Sequence, residues 1–292
     1  MNKISLKIIS LGSKGYFNWM PDSMYLKIIY RIRTGKKLNL RNPITFNEKL
    51  QWLKIHAKDT IKSIYVDKYD VREYIANQIG AEYLIPVVGG PWFNADDIDF
   101  DKLPDRFVLK CTHDSGGVII CKDKSKMDNA EVRSTLKERL RKNFYYRCRE
   151  WPYKNIKPRI YAETYMEDSS NELRDYKFFC FNGKVKCMKV DFNRFVRHQA
   201  NYYDTEMNLL PFGEAAFPPD PSKIIEKPFG FEKMILLAEQ LAQGFPFIRV
   251  DFYNVNGKIY FGELTFFPAS GLGNFIPDEA DTILGSWLEI PK

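Results

Sequence analysis

Apolar side chains recur at helical spacing through the first third of the chain. From Met24 to Ile32 they repeat at every fourth position among basic residues, which predicts an amphipathic helix. Thr45 is followed three residues later by Glu48, the signature of a capping box, so another helix is expected to begin at this point. A further helix is predicted over residues 65–79. The first hundred residues are therefore expected to be mainly helical.

After residue 105, apolar and polar positions alternate, which is the pattern of half-buried strands. An earlier strand is expected to end at Gly89-Gly90-Pro91. A charged helix over residues 129–146 and an apolar helix over residues 231–243 separate the later strands. The predicted strands cover residues 83–88, 107–111, 117–121, 159–166, 176–181, 184–191, 247–253 and 259–265. Asn182-Gly183 is expected to join 176–181 and 184–191 as a hairpin. This order, helices first and then strands mixed with helices, predicts an α+β fold.

Composition narrows the class of protein. The 292 residues are 45% hydrophobic and 28% charged, which is ordinary for a globular protein, and no stretch has the pattern of a membrane span or a signal peptide. The five cysteines are odd in number and form no C-x-x-C pair, so neither a disulfide framework nor a zinc site is expected. A reducing cytoplasm is therefore the expected location.

A mild positive charge favours anionic ligands. Lys and Arg number 44 against 37 Asp and Glu, which gives a net charge of +7. Such a surplus suits nucleotides, acidic sugars or an anionic lipid surface. No zinc-finger spacing or aromatic RNA-binding pattern is present, so no nucleic acid partner is expected. The basic, aromatic segment 25–41 is consistent with at most peripheral membrane contact, and equally with a helix whose cationic face is in water.

The last predicted hairpin carries several charged and polar side chains close together. Arg249 and Asp251 share a face of one strand, and Glu263 and Thr265 share a face of the next. A bulge or an odd number of turn residues would bring both acids to the same face, whereas a two-residue turn at Asn256-Gly257 would separate them. Two carboxylates beside an arginine suit Mg²⁺ and a triphosphate. A solvated sheet face with a structural ion pair explains the spacing equally well.

Two further segments could contact a nucleotide. Lys110 ends a buried strand and can meet phosphates, while Ser115-Gly116-Gly117 would let backbone N–H groups approach them closely. Taken alone, an ordinary glycine turn with a surface lysine is the better explanation. In residues 161–167, a strand with a free edge could pair an adenine ring, although a strand followed by a polar loop is favoured. Neither segment identifies a nucleotide site by itself.

Taken together in their order along the chain, the segment around Lys110, residues 161–167 and the last hairpin resemble the TupA-like ATP-grasp family of bacterial surface-polysaccharide biosynthesis. Residues 42–50, 107–117 and 251–263 carry the resemblance, which extends to the end of the chain. It implies an ATP-grasp fold in which two α+β subdomains clasp ATP. The implied segments are a helical N-terminal region at 1–105, an ATP-grasp N-subdomain at 106–165, and a C-subdomain with the metal and acceptor sites at 166–292.

The resemblance also implies roles for individual residues. Lys110 would hold the ATP phosphates beneath the Ser115-Gly116-Gly117 loop, and Arg249 would stabilise the phosphoryl group in transfer. The residues implied to contact adenine, ribose or phosphate are Glu163, Thr164, Met166, Glu172, Asp175 and Lys177. The residues implied to bind Mg²⁺ are Asp251, Glu263 and Thr265, the last standing where the family has asparagine. A hydroxyl is a weaker ligand than an amide oxygen, which counts against a second metal ion.

Family chemistry would be the activation of a carboxylate. ATP phosphorylates the carboxylate to an acyl phosphate, an amine displaces phosphate, and an amide forms. The implied partners are a small-molecule or oligosaccharide acceptor bearing a carboxylate, such as a uronic acid of a capsule or cell-wall precursor, and an amine donor. The expected location is the cytoplasm, including the inner membrane surface. The candidate acceptor contacts are Ser270 and Gly271 from the resemblance, and Arg194, Arg197 and His198, which an exposed charged loop explains equally well.

A glycosyltransferase is the alternative function. Asp97-Ile98-Asp99 forms the D-x-D pattern that can hold a metal and a sugar nucleotide. Its setting argues against this role, because acids crowd the loop at 96–104 and no Rossmann-like strand precedes it. A non-catalytic binding module is a third class. In such a module, replacing Asp251 or Glu263 would leave ligand affinity intact, whereas a Mg²⁺-ATP enzyme would lose turnover.

Overall fold

The computed structural model describes residues 3–58, 62–168, 173–193 and 197–291. The helices in these ranges are Lys3–Ser13 (α1), Asp22–Thr34 (α2), Phe46–His56 (α3), Val71–Gln78 (α4), Asn129–Leu140 (α5), Tyr145–Cys148 (α6), Phe231–Leu241 (α7) and Glu279–Trp287 (α8). The strands are Val87–Trp92 (β1), Phe107–Cys111 (β2), Val118–Cys121 (β3), Ile160–Thr164 (β4), Asp175–Phe181 (β5), Lys184–Phe192 (β6), Gln199–Tyr203 (β7), Gly213–Glu214 (β8), Phe247–Val255 (β9), Lys258–Thr265 (β10) and Phe275–Ile276 (β11). Helices and antiparallel strands both contribute, which confirms the α+β class.

Two antiparallel sheets form the body of the protein. The smaller has the strand order β1-β4-β2-β3, and the larger has the order β10-β9-β5-β6-β7. β8 and β11 form a separate pair. The predicted hairpins β5–β6 and β9–β10 both lie in the larger sheet, where β5 pairs with β9. The segment boundaries at 105 and 165 remain predictions, and β1 pairs with β4 across the first of them.

Helices cover the apolar face of each sheet. In the larger sheet, Phe181 and Phe247 pack against Phe46 of α3, and the ring centroids of Phe46 and Phe247 are 4.9 Å apart. α7 packs on the same core. In the smaller sheet, Leu109 of β2 shares a core with Leu136 of α5. Burial of these side chains drives the two sheets to form, and it fixes the strands that carry the candidate site.

The N-terminal helices form a third apolar cluster. Tyr25 and Tyr30 of α2 are buried in it beside Cys148 of α6 and Leu272. The Tyr25 hydroxyl donates a hydrogen bond to the Arg147 carbonyl at 3.0 Å. α2 is therefore packed through Tyr25, Leu26, Ile29 and Tyr30. The predicted apolar stripe is not the buried one, because Met24 and Ile28 are 51% and 37% exposed. None of the described helices combines the length and the apolar character needed to cross a bilayer.

The capping box of α3 is confirmed. The Glu48 N–H donates to Thr45 Oγ1 at 3.3 Å, and the Thr45 N–H donates to the Glu48 carboxylate at 3.2 Å. Thr45→Ala should therefore lower the free energy of unfolding by about 1 kcal/mol, because an N-terminal donor loses its partner. Urea titration measures the change. Thr45→Ser keeps the hydroxyl and is the matched control; an equal loss in both variants would contradict the capping role.

The prediction of a strand over residues 83–88 is wrong. Ala81–Tyr83 forms a 3₁₀ turn, and β1 runs through the glycines that the sequence suggests would end it. The reason is close packing. Gly90 has a φ of +90°, and a Cβ there would lie 2.9 Å from the carbonyl oxygen of Ile160 in β4. Gly90 therefore lets β1 approach β4 instead of breaking the strand.

Two predicted helices are longer than the observed ones. The helix predicted over residues 65–79 is only α4, because the Asp67 side chain accepts two backbone N–H groups just before it. The helix predicted over residues 129–146 is split into α5 and α6, and the Asn143 side chain accepts the Tyr145 N–H between them at 3.0 Å. In both places a short polar side chain competes with the helical hydrogen bonds.

Candidate active site

A β-bulge decides how the charged residues of the last hairpin are arranged. Val255 pairs with Lys258, so the turn has two residues, and that register alone would separate the acids. Gly262 is an extra residue between two paired positions, so Glu263 comes to lie opposite Asp251. A Cβ on Gly262 would be 3.0 Å from the Asp251 carbonyl oxygen, which favours glycine at the bulge. Of the two arrangements that the sequence leaves open, the bulged one is present.

Arg249 lies at the centre of the resulting cluster. Its guanidinium donates to both carboxylate oxygens of Asp251, at 2.7 and 2.6 Å. The same group donates to Glu263 Oε1 at 2.9 Å and to Thr265 Oγ1 at 3.0 Å. The Thr265 hydroxyl in turn donates to Glu263 at 2.9 Å. The predicted arginine, both acids and the threonine therefore meet at one point.

A second cation faces the same acids from the neighbouring strand. Lys177 of β5 pairs with Asp175, with Asp191 at 2.8 Å and with Asp251 at 3.9 Å. Burial lowers the pKa of Lys177, but the three carboxylates outweigh it and the pKa is raised. Burial also raises the pKa of Asp251 to about 7, against the opposing effect of Arg249 and Lys177. Burial therefore outweighs the two cations at Asp251, and Arg249 and Lys177 only limit the rise of its pKa.

The oxygen atoms of this cluster fit a magnesium ion. Carboxylates and hydroxyls are the hard ligands that Mg²⁺ prefers, and Asp251, Glu263 and Thr265 already converge on one positive group. Within the described ranges, no three His, Cys, Asp or Glu side chains form a ready-made metal cage. Mg²⁺ commonly takes one or two protein carboxylates and completes its shell with substrate phosphates and water. The donor set therefore suits an ion that arrives with phosphate.

Lys110 lies on the smaller sheet, where its ammonium pairs with Glu163 of β4. Glu163 also accepts from Arg72 at 3.3 Å and from the Tyr161 hydroxyl at 3.0 Å. β4 is an inner strand, and the Thr164 N–H donates to Pro86 O at 2.9 Å. The free strand edge expected for adenine is therefore not found along β4. The roles of Glu163 and Thr164 at a nucleotide remain predictions.

Lys68, for which the sequence gives no signal, contacts the turn that follows β2. Its ammonium donates to the carbonyl oxygens of Cys111, at 3.3 Å, and of Asp114, which flank the turn. Burial lowers the pKa of Lys68 overall. Among the neighbouring charges, the Asp114 carboxylate opposes this fall most, Glu263 also opposes it, and Lys110 adds to it. Lys68 thus lies within electrostatic reach of both halves of the candidate site. No motif surrounds it that could have identified it.

Two cavities border this group of residues. One, of about 380 Å³, is largely apolar; Lys110 and Tyr253 line it together with Val118, Ile120, Thr164 and Met166. Val118 and Ile120 are 41% and 52% exposed. The other, of about 230 Å³, is lined by the loop residue Ser115 and by Arg249, Glu263, Thr265 and Ser270. The second cavity therefore brings together one predicted loop residue, two predicted metal ligands and one predicted acceptor residue, whereas Asp251 and Lys110 do not line it.

The predicted acceptor loop has a strained backbone that α3 holds in place. Ala269, Ser270 and Gly271 all have positive φ, at 48°, 56° and 58°. Gln51 donates to the carbonyl oxygens of Ser270 and Gly271 at 3.0 and 2.6 Å, and Lys54 donates to that of Ser270 at 2.8 Å. Such conformations persist where the surroundings impose them, often at functional sites. Ser270 lines the cavity, whereas Gly271 is buried and supports the loop.

Other predicted residues lie elsewhere or outside the described ranges. Asp175 is buried against Lys177. His198 contacts Asp191 at 2.9 Å and stacks on Phe217, away from both cavities, and Arg197 is exposed nearby. Glu172 and Arg194 lie outside the described residues.

Asp99 of the D-x-D pattern accepts the Asp101 N–H and pairs with Lys102 at 3.0 Å, which are local structural roles.

A sequence model of one protein family, described as "TupA-like ATPgrasp", matches residues 48–289. The chain belongs to this family. The match confirms both the resemblance drawn from the motifs and the ATP-grasp fold that it implies. It begins within α3, so it includes both sheets, the bulged hairpin and the strained loop.

Solved structures of several ligases are similar to this TupA-like chain at low sequence identity. D-alanine–D-alanine ligase from Bacillus anthracis is 19% identical, with 70% of this chain and 57% of that chain covered and a TM-score of 0.39. The corresponding ligase from Helicobacter pylori is 13% identical, with 84% and 69% covered and a TM-score of 0.43. L-amino acid ligase from Bacillus licheniformis is 14% identical, with 71% and 41% covered and a TM-score of 0.40. The chain thus spans little more than half of the first of these. No curated protein matches it.

Proposed function

We propose that this TupA-like protein is an ATP- and Mg²⁺-dependent carboxylate–amine ligase that works through an acyl phosphate. The observation that carries the proposal is the shared cavity of about 230 Å³. Its lining includes Ser115 of the glycine loop, the Arg249–Glu263–Thr265 group and Ser270 of the acceptor loop. A carboxylate and the terminal phosphate of ATP would have to meet in such a space, between cations and oxygen ligands.

The nucleotide would lie between the two sheets. The apolar cavity beside β3 suits an adenine ring, because Val118 and Ile120 offer exposed apolar surface that a flat ring would cover. Lys110 on the floor of that cavity would turn from Glu163 toward the phosphates. Lys68 would hold the glycine loop over them through its carbonyl contacts. The base would thus be bound in the apolar cavity, and the phosphates between Lys110 and the glycine loop.

The reaction itself needs no nucleophile from the protein. A carboxylate oxygen of the acceptor attacks the terminal phosphorus of ATP, and ADP leaves. The amine then attacks the acyl carbon, phosphate leaves, and the amine releases a proton as the amide forms. Arg249 would neutralise the negative charge that grows on the phosphoryl oxygens. When bound by Asp251, Glu263 and Thr265, Mg²⁺ would supply the Lewis-acid charge at the phosphates.

The acceptor we propose is a uronic acid of a capsule or cell-wall polysaccharide precursor, joined to an amino acid or another amine. Its support is the family resemblance together with cations at the mouth of the reaction cavity, among them Arg33 and Arg147. Because the reaction consumes ATP, we place it in the cytoplasm, where it can also act at the inner membrane surface. A glycosyltransferase is disfavoured, since Asp99 of the D-x-D pattern already has local structural partners.

Release of ADP tests the function. The protein is incubated with ATP, Mg²⁺, a panel of amino acids and a panel of uronic acids, and ADP, phosphate and coupled product are measured. ADP is expected only when a carboxylate and an amine are both present. Hydrolysis of a sugar nucleotide without consumption of ATP would overturn the ligase proposal in favour of the glycosyltransferase.

The adenine cavity can be tested separately from turnover. Ile120→Asp places a charge on its apolar wall and is expected to raise the dissociation constant for ATP by about tenfold or more, because the base would have to desolvate a carboxylate. Isothermal titration measures the binding. Ile224→Asp is the matched control, since Ile224 is 85% exposed and lines neither cavity. Equal ATP affinity in the two variants would move the adenine site elsewhere.

A further inference from the structure

The reaction cavity continues into a larger basic groove. The groove has a volume of about 760 Å³, against about 230 Å³ for the cavity itself. Both are lined by Ser115, Phe144 and Arg147, so one opens into the other. The groove runs between α1 and the segment from the end of α5 to α6. It offers far more room than the reacting end of an acceptor requires.

The charge of this groove is almost entirely positive. The cations along it are Lys14, Arg139, Arg141, Lys142 and Arg147, and Asp114 is the one acid among the lining residues that the structure describes. Asp114 already pairs with Arg139 at 3.2 Å, and Lys142 pairs with Glu138 at 2.6 Å. Lys14, Arg141 and Arg147 are exposed and make no ion pair with any described residue. Such unpaired cations lining a cleft attract an anion that extends along it.

The remaining lining side chains suit a sugar chain. Phe144 and Tyr146 offer aromatic rings, and Ser13 and Asn18 offer a hydroxyl and an amide group. Aromatic surface with a polar edge, interleaved with hydrogen-bonding groups, matches the alternating apolar and hydroxylated faces of a glycan. The cations would then meet carboxylates on successive sugar units.

We infer that this groove binds a linear acidic glycan, so the acceptor is a chain carrying several carboxylates and not a single sugar acid. The inference rests on the proposed function, because the chain must deliver one carboxylate into the reaction cavity. A nucleic acid of similar charge fits the cations but has no carboxylate to present there. The glycan is therefore the better match for the groove and the cavity taken together.

Direct titration tests the inference without turnover. Hexamers and monomers of glucuronate, galacturonate and mannuronate are titrated against the full chain, with Mg²⁺ and ADP present. At least one hexamer is expected to bind about tenfold more tightly than its monomer, since two or more additional cations are engaged. That advantage should shrink as salt rises from 50 to 300 mM, because exposed charges are screened.

A charge-matched pair of variants assigns the binding to the groove. In Lys14→Gln/Arg141→Gln, the advantage of the hexamer should fall about tenfold while monomer affinity stays unchanged. Lys186→Gln/Lys233→Gln removes two exposed cations elsewhere and should keep the advantage. The inference is overturned if no hexamer binds more tightly than its monomer, if both double variants behave alike, or if a hexamer of thymidylate binds as tightly as the best glycan.

The outcome separates this inference from the proposed function. ADP release from a monomeric uronic acid, with no preference for hexamers, would support the ligase and overturn the groove as a glycan site. Tight hexamer binding that Lys14→Gln/Arg141→Gln abolishes, with no ADP released from any acceptor, would support the glycan groove and overturn the ligase. ADP release together with a hexamer preference that Lys14→Gln/Arg141→Gln removes would support both the ligase and the glycan groove.

Discussion

Arg249→Met is expected to lower the rate of ADP formation by about 10²- to 10³-fold, the usual cost of removing a group that stabilises transition-state charge. The same change should destabilise the fold by about 3–5 kcal/mol, because the buried Asp251 carboxylate loses hydrogen bonds of 2.6 and 2.7 Å from the guanidinium. Initial rates at saturating ATP measure the first effect, and urea titration measures the second.

A double variant separates the two roles of Arg249. In Arg249→Met/Asp251→Asn the uncompensated charge is removed, so part of the lost stability should return while turnover stays low. Arg249→Lys keeps a positive charge but cannot span Asp251, Glu263 and Thr265 with a planar fork, and it should recover stability better than rate. A folded Arg249→Met variant with the parental rate would reduce the cluster to a structural ion pair.

Local patterns in the sequence predicted the elements whose signals lie within a few residues. The capping box needs only Thr45 and Glu48, and the turn at Asn182-Gly183 needs only two residues able to adopt positive φ, which both do. The alternation along β9 and β10 placed Arg249 beside Asp251 for the same reason. Short-range chemistry was sufficient in each of these cases.

The bulge at Gly262 is a feature that local sequence patterns do not predict. Counting turn residues left the two acids on either the same or opposite faces, and the answer depends on one glycine packed over the backbone of Asp251. Likewise, Gly90 in β1 is explained only by the approach of Ile160 from a strand 70 residues later in the chain. Contacts between distant segments decided both features, and no local spacing encodes them.

The supporting residues of the site were missed for a similar reason. Gln51 and Lys54 look like ordinary polar positions of α3, yet both are buried and hold the carbonyl groups of the loop around Ser270. Lys68 lies in an unremarkable charged stretch and meets the turn after β2. The residues with recognisable chemistry could be predicted, whereas those that position them depend on the tertiary fold.

Lys110→Met is expected to weaken ATP binding and to lower kcat/KM for ATP by about 10²- to 10³-fold, because a cation that faces the phosphates in a protected cleft is lost. The fold should tolerate the change. Glu163, the present partner of Lys110, keeps a hydrogen bond from Arg72 at 3.3 Å and one from the Tyr161 hydroxyl at 3.0 Å. Affinity for ATP and thermal stability are measured on the same samples.

Two comparisons test whether Lys110→Met loses affinity through the phosphates of ATP. Affinity for adenosine should be unchanged in Lys110→Met, since the apolar wall around Val118 and Ile120 is intact, whereas affinity for ADP and ATP should fall. Lys186→Met removes an exposed cation from the larger sheet and should change neither. If Lys110→Met instead lost stability and kept its affinity for ATP, the lysine would serve only as the ion-pair partner of Glu163. The phosphate site would then have to be sought at Lys68, whose ammonium donates to the carbonyl oxygens of Cys111 and Asp114 at the glycine turn.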